Sequence, residues 1–280
     1  MTEIARLPHR ALIRITGPDW AAFLKGLCTA HIDRITAEVA DGRMGTLHYG
    51  AFLRPQGKMY ADCLLMAKGP EDIWLDVPLS ARPELLAKLN MYKLRAHVAI
   101  EALEQPVFVA FGGDLPEGFA DDPRGVIAGD TFGFAYDTRT ATADEGAWTA
   151  FRIGLGIASA GEDFDADALY AIDANLDLLD AIDFHKGCYV GQELTSRMKR
   201  RGQIKNRLLP LASEGILEKG AEILIGERRV GEVTAAHGHI GLGLMRLDRL
   251  VQTDVETGGH SVVVTIPTWV APHVQPADDI

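Results

Sequence analysis

The sequence predicts an α+β protein that ends in a small β-barrel. Two observations carry this. Before Asn206, strand and helix patterns intermingle. After it, apolar runs become short and closely spaced, with turns such as Glu218-Lys219-Gly220 and Gly226-Glu227 between them. The 280 residues, 47% hydrophobic and 24% charged, have the composition of a globular protein long enough for two or three domains.

Ala11 to Thr16 reads as a strand. Gly17-Pro18-Asp19 is a turn, and Asp19 is placed to cap a helix carrying Trp20, Phe23, Leu24 and Leu27. Gly45–Leu53 and Met59–Ala67 form a hairpin around Arg54-Pro55-Gln56-Gly57-Lys58, where Gly57 supplies a positive φ. A strand at Ile73–Val77 precedes a helix at Ala81–Lys93, introduced by Pro83. Val98–Ala102, Val107–Gly112 and Phe151–Ile157 read as strands, and Gly113–Gly125 as a loop. Ile172–Leu179 has a helical pattern. Leu208–Leu211, Glu222–Ile225, Arg229–Thr234, His239–Met245 and Val262–Pro267 are the short terminal strands. Gly241 and Gly243 lie among them, where close backbone packing explains them.

The formal net charge of -11 argues against general binding to nucleic acid or to an anionic membrane. No apolar run is long enough for a membrane span, and Met1 to Trp20 lacks the pattern of a secretory signal, so a cytoplasmic location is expected. Cys28, Cys63 and Cys188 are far apart and form no CxxC pair, which excludes a disulfide framework and a self-contained four-cysteine metal site.

Against this acidic background, Lys186 to Arg207 contains seven basic residues and one acidic residue, Glu193. Cys188 lies in this stretch. Nearby cations stabilise a thiolate, which is both a nucleophile and a soft metal ligand. A lone cysteine is also commonly inert and buried, the reading that suits Cys28 and Cys63 better. Gln192 and Glu193 follow a glycine turn. They suit either recognition of a polar heterocycle or the start of a helix. No P-loop, GxSxG or HExxH pattern is present.

The segment Lys186-Gly187-Cys188-Tyr189-Val190-Gly191-Gln192-Glu193, continued by Arg197, resembles the KGCYxGQExxxR signature of the YgfZ family, relatives of the glycine-cleavage T-protein. Leu53-Arg54-Pro55-Gln56-Gly57-Lys58 with Asp62 resembles that family's LxPQGxxxxD hairpin, and Tyr92-Lys93-Leu94-Arg95 its YKLR element. Thr16-Gly17-Pro18-Asp19 and Gly241 to Arg246 are similar to its first and last units.

The resemblance implies two α/β modules with antiparallel sheets and a C-terminal barrel. The expected division is 1–45 with 105–203, an inserted 46–104, and 204–280. It implies tetrahydrofolate in a central channel and a role in maturing [4Fe-4S] proteins. Cys188 would be the nucleophile or a ligand of an iron–sulfur cluster shared with an A-type carrier protein, and apo [4Fe-4S] proteins the clients. Lys186 would be its electrostatic partner. Asp62 resembles the residue that contacts the pterin, and Gln192, Glu193 and Arg197 match the signature. By charge, Lys205 and Arg207 would attract the folate's carboxylates. The alternatives are a folate-dependent aminomethyl transferase and a non-catalytic adaptor.

Overall fold

The hairpin at Arg54–Lys58 joins two neighbouring strands of a five-stranded sheet. The computed structural model describes residues 1–200, 204–250 and 255–274. The first elements are β1 (Glu3–Arg6), β2 (Arg10–Thr16), α1 (Trp20–Lys25), α2 (Ile32–Ala40), β3 (Leu47–Leu53), β4 (Met59–Gly69), β5 (Asp72–Pro78), α3 (Arg82–Lys93) and β6 (Ala99–Leu103). Strands β3-β4-β5-β2-β6 form a five-stranded antiparallel sheet in that order. Every residue of β3 is buried, because both faces of the sheet are covered. One face packs Ile13, Ile73 and Leu75 against Trp20, Leu24, Ile35, Leu85 and Leu89 of the three helices. The other turns Leu12, Leu64 and Met66 toward the second sheet.

That sheet contains β7 (Phe108–Phe111), β8 (Ala120–Asp121) and β9 (Phe132–Ala135), in the order β1-β7-β9-β8. With them come α4 (Pro123–Ala128) and α5 (Glu145–Gly154). The expected strand at Phe151–Ile157 is instead the end of α5. Asp144 caps this helix by accepting the Ala147 N–H at 2.8 Å. Trp148 and Phe151 then stack on each other and meet Phe111 and Phe132 at tilted or edge-on angles. Aromatic packing from a capped turn outweighs local strand propensity.

The expected placement of residues 1–45 with 105–203 is corrected for β2, whose backbone pairs with β5 and β6. Arg10–Thr16 therefore belongs to the sheet of residues 47–103. Asp19 precedes α1, yet its carboxylate accepts the distant His97 N–H at 2.7 Å rather than capping the helix.

Ile172–Leu179 is a run of turns rather than a helix. Asn175 at φ 65° and Asp180 at φ 52° adopt left-handed conformations that end any helical path. The chain then enters α6 (Gln192–Arg200) and the barrel. Arg201 and the expected boundary at residue 203 lie outside the described residues.

The barrel strands are β10 (Asn206–Ser213), β11 (Glu222–Ile225), β12 (Arg228–His237), β13 (Ile240–Arg246), β14 (Val255–Thr257) and β15 (His260–Val264). They close in the order β10-β13-β12-β11-β14-β15. A Cβ on Gly243 would lie 2.8 Å from Ile223 Cδ1, so the close packing expected there is present. No helix among the described residues is long and apolar enough to cross a membrane.

Candidate functional site around Cys188

The loop that carries Cys188 is held from both sides. Asp183 Oδ1 accepts the N–H groups of His185 and Lys186 at 2.8 and 3.0 Å. Burial would raise the Asp183 carboxyl, but these two donors hold it below its usual range. The Asp183 N–H in turn reaches the Thr29 carbonyl at 2.9 Å. Thr29 Oγ1 donates to the Ala181 carbonyl at 2.7 Å and accepts the Ala51 N–H at 2.8 Å. The segment between α1 and α2 thus ties the loop to β3.

Lys186 is 7% exposed, and its ammonium donates to the carbonyls of Cys28 and Ala30 at 2.5 and 2.8 Å. It also lies 4.9 Å from the centre of the Tyr189 ring. Burial lowers its pKa. This corrects the expected role of Lys186 as the electrostatic partner of Cys188: its hydrogen bonds anchor the loop to residues 28–30.

Gly191 completes the display. Its φ is +84°, and a Cβ there would lie 2.7 Å from the Arg54 carbonyl oxygen. Only glycine lets the hairpin turn sit this close to the start of α6. Between these anchors Cys188 is exposed, whereas Cys28 and Cys63 are buried.

Cys188 opens on a cavity of about 800 Å³, also lined by His185, Gln192, Glu193, Lys199 and Arg200. Gln192 and Glu193 of the expected set therefore stand beside the thiol. His185, Lys199 and Arg200 were not singled out for the site from sequence; their closeness to the signature is the signal that marks them. The Arg197 guanidinium pairs with Glu193 at 2.6 Å, and Lys199 with Asp177 at 3.1 Å.

The other expected residues do not converge here. Arg207 is fully buried and grips both oxygens of Asp177 at 2.5 and 3.0 Å, plus the Ile172 carbonyl at 2.8 Å. It joins the 172–179 turns to the barrel, and the expectation from charge that it would attract a folate carboxylate is corrected, because its guanidinium is buried on Asp177. Lys205 is exposed just before β10. Asp62 is 2% exposed inside the body, and Arg10 holds its Oδ1 at 2.7 Å. The space left around Asp62 is about 20 Å³. Ligand pockets run to roughly 300–1,000 Å³. The residues present do not fit a folate held at Asp62.

A further group, His9 with Glu145 and Glu162, has the atoms of a small metal site. Its imidazole already pairs with both carboxylates, and Arg152 lies 3.4 Å from Glu162, which disfavours a cation. Among the described residues, Cys188 belongs to no set of three clustered metal-ligating side chains.

These features define an aminomethyltransferase-like body that presents one exposed thiol at the mouth of a cavity. The fold is similar to that of the glycine cleavage system aminomethyltransferase T from Bartonella henselae. The TM-score is 0.69 at 16% identity, covering 96% of this chain and 86% of that one. The sequence is 32% identical to the iron–sulfur cluster assembly factor IBA57 homolog, mitochondrial, of Aspergillus oryzae, over 91% of this chain and 72% of that protein. It is 28% identical to the mitochondrial IBA57 of Mus musculus, over 94% and 84% of the two chains. The family model described as CAF17, C-terminal beta-barrel domain, matches residues 205–272. The chain belongs to the IBA57 family of iron–sulfur cluster assembly factors.

The resemblance to YgfZ proteins is thereby refined, since these relatives carry the name IBA57. The cytoplasmic expectation is corrected: the relatives are named as mitochondrial proteins.

Proposed function

We propose that this chain supplies one thiolate, that of Cys188, to an iron–sulfur cluster whose remaining ligands come from an A-type carrier protein, and that it serves the maturation of [4Fe-4S] proteins. The cluster is cargo here, held in passing. The observation that carries the reading is the exposure of Cys188 on an anchored loop with no clustered set of further ligands among the described residues. Thiolate is a soft ligand that suits iron–sulfur clusters. One such ligand leaves coordination positions for a second protein to fill.

The surroundings favour this cargo. A thiolate-ligated cluster is anionic, and Lys199 and Arg200 line the cavity beside Cys188. Lys186, Asp183 and Thr29 hold the loop in place before a partner arrives, which reduces the ordering cost of association.

The test compares wild type with Cys188→Ser. Under anaerobic conditions, wild type mixed with a cluster-loaded A-type carrier should co-elute with it as a coloured complex, whereas the serine variant should elute apart from the coloured carrier and without colour. In cells lacking the native protein, the variant should fail to restore a [4Fe-4S] enzyme. Equal colour and equal restoration would overturn the proposal.

A further inference from the structure

We infer that Arg10 is a built-in occupant of the interior carboxylates Asp62 and Asp76, filling the place where the fold would otherwise receive a ligand with a guanidine-like edge. This concerns the interior of the body and does not rest on the role proposed for Cys188.

The Arg10 guanidinium divides its donors between the two carboxylates. Arg10 Nη1 donates to Asp62 Oδ1 at 2.7 Å, and Nε to Asp76 Oδ1 at 2.7 Å. Nη2 donates to the Asp76 main-chain carbonyl at 2.9 Å. All three nitrogens are engaged. The side chains are 6%, 2% and 0% exposed for Arg10, Asp62 and Asp76. Strand pairing explains the convergence, since Arg10, Asp76 and Asp62 lie on the adjacent strands β2, β5 and β4.

The other Asp62 oxygen faces the Tyr49 hydroxyl and the Ala160 N–H, each at 3.4 Å. Arg124, held by Asp122 at 2.6 Å, covers the Tyr49 ring at 4.3 Å. What remains is about 20 Å³, room on the order of a single water and far too little for a heterocycle.

A guanidinium and the 2-amino-4-oxopyrimidine edge of a pterin or guanine offer a carboxylate the same pair of parallel N–H donors. A heterocycle of that class and Arg10 cannot hold Asp62 at the same time. Arg10 gives Asp62 one of these donors and Asp76 another, so the interior is closed by the chain's own guanidinium and the carboxylates act as structural acceptors.

The experiment titrates 5-formyltetrahydrofolate into wild type and Asp62→Asn by calorimetry, and melts Arg10→Ala in low-millimolar guanidinium chloride against equal sodium chloride. Two results are expected. Folate affinity, whether measurable or absent in wild type, should be the same in Asp62→Asn. Guanidinium should raise the melting temperature of Arg10→Ala and not that of wild type. A loss of about threefold or more in affinity on Asp62→Asn would show that folate uses this carboxylate and overturn the inference. Failure of guanidinium to stabilise Arg10→Ala would overturn it as well. Should Asp62→Asn not fold, the guanidinium result decides alone.

Discussion

The Lys186 ammonium meets the Cys28 carbonyl at 2.5 Å, across 158 residues of sequence, while Cys188 two positions later is exposed. The signature therefore combines an anchor and a presented group. Replacing Lys186 with Ala leaves the Cys28 and Ala30 carbonyls without their donor. A loss of about 1–3 kcal/mol is expected in denaturant unfolding, with faster proteolysis between Phe184 and Gly191. Unchanged stability would refute the anchor.

Cys188→Ser should behave in the opposite way. The side chain is exposed and free, so stability should stay within about 0.5 kcal/mol of wild type. Cluster-dependent colour and complementation should be lost all the same. A large drop in melting temperature would mean that the thiol is structural.

Arg207 is assigned to the junction between body and barrel. Arg207→Leu would strand Asp177, whose side chain is wholly buried, leaving Lys199 as its one ion-pair partner among the described residues. Destabilisation of about 3–5 kcal/mol is expected, measured by urea unfolding. A variant as stable as wild type would return Arg207 to the list of free cations.

Asp173 makes stability depend on pH. Burial pushes its carboxyl up to about 6, despite the attraction of Lys58 and Arg207. A raised folded pKa means the folded state prefers the protonated acid. The group thus costs nothing below the unfolded value of about 4 and costs most above about 6. Asp173→Asn should gain about 3 kcal/mol over wild type at pH 7, and the gain should vanish near pH 4. Melting curves across this range check it; a gain independent of pH would exclude titration of Asp173 as the cause.

Much of the architecture was legible along the chain because its causes are local. Turn chemistry marked the Arg54–Lys58 hairpin, and the spacing of short apolar runs marked the barrel, which β14 and β15 close. Phe151–Ile157 and Ile172–Leu179 are segments where local pattern lost to distant contacts. At Trp148–Phe151 the aromatic cluster made a helix from a strand-like run. At Asn175 and Asp180, left-handed residues broke a helical pattern so that Asn175 could donate to the Leu208 carbonyl at 2.8 Å.

By itself the sequence determined that Cys188 is the cysteine to watch, because an uncommon run of residues with a glycine turn surrounds it. Only the tertiary structure decided where the neighbouring charges go. Lys186 turns to Cys28 and Ala30, Arg207 to Asp177, and Asp62 to Arg10. The physical reason is that a buried charge must find a partner wherever the fold supplies one. These partners lie 30 to 158 residues away, where no spacing rule reaches.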